Sequence, residues 1–392
     1  MRANLRHGAF VAPFHQMHEN PSLCLRRDFE LVEHMDGLGF HEAWIGEHHS
    51  AGFETIASPE LFIAAAAERT RHIRLGTGVV SLPYHHPLMV ANRIVQLDHQ
   101  TQGRVMFGVG PGLLASDALM LGIDPTVQRD RMAQALDAIL RLMAGETVTE
   151  TTDWYTLREA RVHLLPYTRP SPEVAVASAV TPSGARVAGR YGLGMLCVAA
   201  TDASGFSAMD SNWAIAREIA AEHGQRMEPA RLRAVVPMHL AGSRDEARAN
   251  VRYGLQPWID YFNNNLPRIF VPQGVDPVDF VIDTGLGVIG TPDDAVAMIE
   301  RLLGRQPDIG CILIQENNWA PWDQTRRSFE LYARYVMPYF DGANDVRRWS
   351  YDWVSAHQGH LVERRNTATR EMFEKHAADR AARPADPAVP GT

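Results

Sequence analysis

The chain has almost no lysine. Lys375 is the only one in 392 residues, and it lies close to the C-terminal end. Schiff-base catalysis needs an internal lysine amine, and a GxxxxGK[ST] loop needs one beside its phosphates. The single lysine argues against both classes, so arginine, backbone N–H groups or hydroxyls must hold any bound phosphate. Cysteine is scarce too. Cys24, Cys197 and Cys311 form no CxxC pair and suggest no disulfide framework. Positive charge is in deficit, with 38 Lys+Arg against 46 Asp+Glu, a net charge of -8 and no basic run. That balance argues against a nucleic-acid partner. No apolar run approaches the roughly 20 residues that span a bilayer, and no charged-then-apolar leader precedes the first strand-like segment. A cytoplasmic location without a membrane role is expected. HExxH and GxSxG motifs are absent, as is a catalytic-cysteine motif. The adjacent pairs His48-His49 and His85-His86 point to opposite faces if extended, so no metal is expected.

What the sequence does have is alternation. Hydrophobic residues make up 45%, ample for a large core. Short β-rich runs are predicted at 8–11, 42–46, 73–80, 105–109, 174–177, 194–199, 234–239 and 310–315. Helical patterns are predicted between them, near 22–39, 58–70, 86–101, 126–144, 182–191, 205–224, 243–256, 291–304 and 324–337. Strand–helix alternation implies a parallel sheet, and eight repeats imply closure into a (β/α)₈ TIM barrel of the α/β class, with insertions. Residues 1–340 read as one domain, and 341–392 as a helical extension with a tail disordered after about Arg370. Two stretches break the repeat. Residues 147–165 suggest an excursion with β character. Residues 260–290, rich in Asn, Pro and Gly, suggest an active-site lid loop.

Four segments at strand ends are positioned to carry chemistry. The run Trp44-Ile45-Gly46-Glu47-His48-His49 closes strand two, where barrel active sites open; an exposed turn explains two histidines equally well. Gly76-Thr77-Gly78-Val79 puts glycine inside a strand, which signals close approach of a backbone or ligand, or plain packing. Gly108-Val109-Gly110-Pro111-Gly112 lacks the third glycine of a dinucleotide fingerprint, because Leu113 stands there. It still leaves room for a flat ring or a phosphate, and Asp117 follows as a hydrogen-bond acceptor or a helix cap. Finally, Ser178, Thr181, Ser183, Gly184 and Arg186 surround a strand-to-helix junction. Helix N-termini bind anions, although ordinary capping by Thr181 or Ser183 is the simpler reading. Glu47 and Asp117 show no spacing that demands glycosidase chemistry.

Taken in order, these segments resemble the bacterial luciferase-like flavin-dependent monooxygenases. The markers are Glu47-His48-His49, Gly76-Thr77-Gly78-Val79 with Leu82-Pro83 and His86-Pro87 behind it, Gly103-Arg104, and Gly290-Thr291-Pro292-Asp293-Asp294. The likeness runs from about Gly8 to Met337 and is strongest to the limonene 1,2-monooxygenase-like, terpenoid-oxidising members, including the diketocamphane type. It implies reduced FMN lying across the barrel mouth, supplied by a separate NAD(P)H flavin reductase, and O2 as co-substrate. One oxygen atom would pass to an apolar terpenoid-like or ketone molecule through a flavin C4a-(hydro)peroxide. By the same resemblance, His48 and Asp117 are catalytic. Gly78 and Val79 form a cis peptide beside the flavin, with Gly110 and Gly112 nearby, and Ser178, Thr181, Ser183, Gly184 and Arg186 hold its phosphate. Phe10, Phe14, Trp44 and Leu113 are candidate pocket walls. Two positions depart from luciferase: Pro111 stands where luciferase has a phosphate-binding arginine, and Ala177-Ser178 where it has an acid–serine pair. A homodimer is implied, with 61–67 or 88–97 as its surface. A deazaflavin-dependent hydride-transfer enzyme and a non-catalytic flavin-binding protein are the alternatives.

Overall fold

The computed structural model describes residues 5–201, 203–265 and 271–382. It divides into two compact units, Met1–Asp341 and Gly342–Thr392. The first is a closed barrel of eight parallel strands: β1 Arg6–Val11, β2 Glu42–Ile45, β3 Arg74–Thr77, β4 Val105–Gly110, β5 Glu173–Ser178, β6 Gly194–Cys197, β7 Leu232–Leu240 and β8 Cys311–Glu316. Each strand pairs with the next, and β8 pairs with β1. Every predicted strand is therefore present. Because all eight run the same way, their C-terminal ends share one mouth.

Local chemistry sets the helices. α1 (Pro21–Leu38) starts at Asn20, whose side chain accepts from the Ser22 and Leu23 N–H groups, and stops at Gly39 in the left-handed region at φ 83°. α2 (Pro59–Arg69) and α3 (Pro87–Gln100) each begin with proline at the first turn. α4 (Ala115–Met120) is a short helix after β4, and α5 (Gln128–Met143) packs on the barrel behind it. α6 (Ser183–Tyr191) follows β5 and α7 (Ala203–Glu222) follows β6. The largest apolar core lies between the strands and this outer ring, with Leu31, Val32, Val90, Ile94, Leu136 and Ile139 among its buried members. The excursion at 147–165 contains an antiparallel hairpin, Val148–Thr151 with Thr156–Ala160.

The stretch 260–290 is more regular than expected. α9 (Leu255–Asn265), which follows α8 (Arg244–Val251), runs into it; α10 (Pro277–Asp283) and a short strand, Val288–Gly290, occupy its second half. The strand pairs with β7. Residues 266–270 lie outside the described residues. The Asn and Pro content reads as loop, but Asp276 caps α10 by accepting from the Val278 N–H, and Val278 and Val281 are buried. Helices α9 and α10 join Phe14, Leu114 and Trp319 in a second apolar cluster.

The C-terminal unit holds two helices, Asp345–Ala356 and Gln358–Ala381. Residues 370–381 are helical rather than disordered. That stretch is dominated by good helix formers, and Glu371 stands four residues before Lys375 on the helix. Residues 383–392 lie outside the described residues. Among the described residues no helix is long and apolar enough to cross a membrane.

Charge fills the N-terminal end of the barrel. Arg233 is fully buried and donates to both oxygens of Glu42, at 2.6 and 3.1 Å, and to Glu173 at 2.6 Å. Arg6 reaches Glu42 at 2.7 Å and Arg74 reaches Glu173 at 2.8 Å. Trp44 belongs to this region. Its indole N–H donates to Glu42 at 2.9 Å, and the Arg233 guanidinium lies 4.7 Å from its ring. Trp44 is therefore not a wall of the mouth, as the sequence suggests. It is wholly buried, and its ring lies so close over Gly76 that a β carbon there would stand 2.5 Å away.

Candidate active site

At the opposite end, β2 runs into the loop 46–56. The His48 N–H donates to the Ile56 carbonyl at 3.1 Å and closes that loop. Asp117, 2% exposed on α4, collects three donors from it: His48 Nδ1 at 3.2 Å, the His49 N–H at 3.1 Å and the Ser50 hydroxyl. Asp117 is thus a receiver for the β2 loop and not a helix cap. Across the imidazole, His48 Nε2 stands 3.4 Å from Glu54 Oε1 in an ion pair. Burial works against the charged imidazolium, but Glu54, Asp117 and Glu47 outweigh it and hold the His48 pKa above the usual histidine value. Burial likewise opposes ionisation of Asp117, yet His48 and Ser50 keep its carboxyl below the ordinary range.

Glu47 builds a second polar knot. Its Oε1 accepts from His49 Nε2 at 2.8 Å and His85 Nε2 at 2.7 Å, while Oε2 accepts the Ser81 N–H at 2.8 Å. The ligand atoms of Glu47, His49 and His85 lie within 4.8 Å of one another. The Arg93 guanidinium faces His85 Nδ1 at 3.5 Å, which leaves the ring proton on Nε2, pointed at Glu47. Glu47 thereby ties the β2 end to the chain just after Gly78–Val79, whose peptide bond is cis.

Beyond β4, Gly110 lets the Val79 side chain lie close: a β carbon on Gly110 would stand 2.6 Å from Val79 Cγ2. Gly112 adopts φ 92°, and a β carbon there would stand 2.2 Å from the Tyr84 hydroxyl. Gln128 Nε2 secures the turn by donating to Tyr84 Oη at 2.9 Å and the Pro111 carbonyl at 2.7 Å. Burial and the nearby Asp117 charge push the Tyr84 phenol up to about 12.

The junction after β5 is an uncapped helix start. The N-cap residue of α6 is Pro182, and no side chain caps it. Thr181 and Ser183 instead pair their hydroxyls at 3.0 Å, so ordinary capping is not what they do. Gly184 lets α6 approach the strand so closely that a β carbon would stand 2.3 Å from the Ala177 carbonyl oxygen. Arg186 is exposed one turn along. Ser178 is buried and accepts from Asn212 Nδ2 at 3.2 Å, and the same amide also reaches the Ala179 and Thr181 carbonyls. Asn212 therefore fixes the loop that carries the hydroxyls.

Of the remaining wall residues, Phe14 is buried and stacks on Phe53 at 4.4 Å. Phe10 is half-buried against the barrel interior, and Leu113 is 65% exposed. The sequence gives no cue for Glu54 or Tyr261: one sits in a loop without a motif, the other on a helix that reads as the start of a loop. Glu316 is a different case. It ends β8, and a polar run after a buried strand at the catalytic end is a signal. Burial pushes its carboxyl up to about 7, against a short hydrogen bond from the Asn318 N–H.

The family model for luciferase-like monooxygenases matches residues 5–303. The chain belongs to the luciferase-like monooxygenase family. Limonene 1,2-monooxygenase of Rhodococcus erythropolis is 45% identical over 377 residues, covering 96% of this chain and 97% of that protein. The 4-hydroxyprotoasukamycin monooxygenase of Streptomyces nodosus subsp. asukaensis is 44% identical over 357 residues, covering 89% and 95%. Among solved structures, monooxygenase RslO1 from Streptomyces bottropensis superposes with a TM-score of 0.76 at 26% identity, covering 86% of this chain and all of its own. A luciferase-like monooxygenase is an enzyme that incorporates oxygen.

Proposed function

We propose that this chain is the oxygenase of a two-component system, taking reduced FMN from a separate flavin reductase and inserting one oxygen atom into a small apolar terpenoid-like or ketone substrate. The observation that carries this reading is the uncapped α6 N-terminus with its hydroxyl pair and Arg186, on the same mouth as His48. Free helix N–H groups, two hydroxyls and one guanidinium make a phosphate cradle that needs no lysine. The residues present therefore fit a flavin mononucleotide.

In this reading, Thr181, Ser183, Arg186 and the first α6 amides hold the phosphate, with Ser178 and Asn212 behind them. Val79 and Gly110 flank the ring, and Gly110 and Gly112 keep side chains out of its way. When bound, the flavin supplies the activation of dioxygen. The protein's share is to bind, orient and hold protons. His48 commits Nδ1 to Asp117 and carries a second proton at Nε2, a donor for the reacting oxygen. Phe14, Phe53 and Tyr261 present an apolar surface beside it that disfavours water. The similarity to limonene 1,2-monooxygenase and to the 2,5-diketocamphane 1,2-monooxygenase of Pseudomonas putida supports an apolar terpenoid-like or ketone substrate. Closure of 260–290 and dimerisation through α2 or α3, where Leu61 and Met89 are exposed, belong to the same proposal.

The test mixes the protein and photoreduced FMN with isotope-labelled dioxygen and either limonene or a bicyclic ketone. One labelled atom in the organic product is expected. Flavin reoxidation at the free-solution rate with both substrates, and no labelled product, overturns the reading. Hydride transfer to a deazaflavin under anaerobic conditions would put the alternative enzyme in its place.

A further inference from the structure

Asp117 alone would make His48 a base. With Nδ1–H donated to Asp117, a neutral imidazole presents a lone pair at Nε2. The second carboxylate changes this. Glu54 Oε1 stands 3.4 Å from Nε2, and a lone pair facing a carboxylate at that distance is repulsive. The contact is favourable only when Nε2 bears a proton. Yet among the described residues Nε2 makes an ion pair and no hydrogen bond, so its N–H remains available to a ligand.

Glu54 is itself held. Its side chain is 11% exposed, and its backbone bridges to Phe14. Phe14 stacks on Phe53, and Tyr261 meets both edge-on, at 4.9 and 5.7 Å. The Tyr261 hydroxyl donates to the same Oε1 at 3.3 Å. The aromatic trio thins the water around the carboxylate, which strengthens its field at His48. Tyr261 lies on α9, so the helix that enters the 260–290 segment ends up hydrogen-bonded to the group facing the imidazole.

We propose that Glu54 is a positioning residue: held by Tyr261 in an aromatic enclosure, it keeps His48 doubly protonated with its Nε2–H uncommitted. It turns a residue that would abstract a proton into one that donates. The other groups that face this centre are Glu47 and His49 on the β2 end, Asp117 on α4 and Tyr84 after β3. None of these four changes in the variants below.

The experiment is an NMR titration of isotope-labelled histidine in the full-length protein without flavin, with His48→Gln used to assign the resonance. Glu54→Gln keeps the shape and the Tyr261 hydrogen bond but removes the charge. It should lower the His48 pKa by about one unit or more, the effect of losing one neighbouring opposite charge. Glu54→Asp should retain most of the shift, and Tyr261→Phe should lose a smaller part. In turnover, Glu54→Gln should cut kcat about tenfold or more, as expected for loss of a positioned proton donor, and leave KM for reduced flavin within about twofold. Unchanged His48 titration in Glu54→Gln overturns the proposal, as does an Asp variant that behaves like the Gln one. If Glu54→Gln does not fold, Tyr261→Phe carries the test, and an unshifted His48 there overturns it. The inference uses the oxygenase reading only for its rate readout. The titration is made on free protein, so failure of the oxygenation test and failure of this proposal remain distinguishable.

Discussion

At the N-terminal end of the barrel a cation lies between two carboxylates, Arg233 between Glu42 and Glu173. At the C-terminal end another does, His48 between Asp117 and Glu54. The arrangement is the same and the consequence opposite. Burial opposes the charge on Arg233, but its two partners raise a pKa that is already out of reach; burial also opposes ionisation of Glu173, yet Arg233 and Arg74 hold its carboxyl down to about 2. That cluster cannot change state in water. His48 is 13% exposed on its side chain and belongs to the one residue type whose proton is exchangeable near neutrality. Arginine makes a fixed floor and histidine a chemical mouth. Placing lysine in neither position avoids an ammonium whose pKa burial would shift.

The comparison breaks hardest at the floor. Arg233→Met leaves Glu42 and Glu173 buried without their shared partner, and should cost about 3–5 kcal/mol of stability. Chemical denaturation measures this, and a loss under about 1 kcal/mol would mean that the carboxylates simply protonate. At the mouth, His48→Gln should cost about a hundredfold in oxygenation rate while the denaturation midpoint stays near wild type. A large fall in stability with little fall in rate would reverse the roles assigned to the two ends.

A pH series sharpens the contrast. Burial lowers His7 to about 3, helped by the nearby His41, and burial alone lowers His239 to about 4. Both stay neutral in the fold and protonate near 6.5 once unfolded. Their stabilisation is present above 6.5 and is lost as pH falls. Glu316 runs the other way. Its carboxyl is raised to about 7, so its contribution is present below about 4.5 and is lost as pH rises toward 7. Between pH 6.5 and 4.5 two of these groups oppose the third, and their net contribution to stability should fall by about 1.4 kcal/mol per pH unit. Glu316→Gln removes the opposing group and should roughly double that slope; an unchanged slope would show that Glu316 is ionised throughout. The smallest effect belongs to the cradle. Arg186→Ala should weaken FMN binding about tenfold through one lost charge-assisted contact, and leave riboflavin binding unaltered. Equal loss for both ligands in a fluorescence titration would move Arg186 away from the phosphate.

The sequence reveals the architecture through period: all eight strands and the order of the helices follow from alternating patterns, and the strand ends mark the mouth. His48 and Asp117 come together as the motifs suggest. Trp44 misleads because a strand pattern says that a residue is buried but not which end of the barrel it faces; its indole N–H finds Glu42, two residues earlier on the same strand. Glu54 and Tyr261 carry no local signal. They meet through the bridge between Glu54 and Phe14 and through the docking of α9, which brings Tyr261 to Glu54 from 207 residues away in the chain. Composition gives no way to tell a capped loop from a helix at 277–283, because the cap that decides it is a single aspartate.

The exposed helix Gln358–Ala381 carries the chain's only ammonium side chain, Lys375. For amine-directed chemistry the barrel is therefore blank. An acylating dye, a biotin ester or an activated resin finds, apart from the α-amino group, a single side-chain address, in the unit that follows Asp341. The protein can be labelled at that side chain with its arginine floor and histidine mouth chemically untouched.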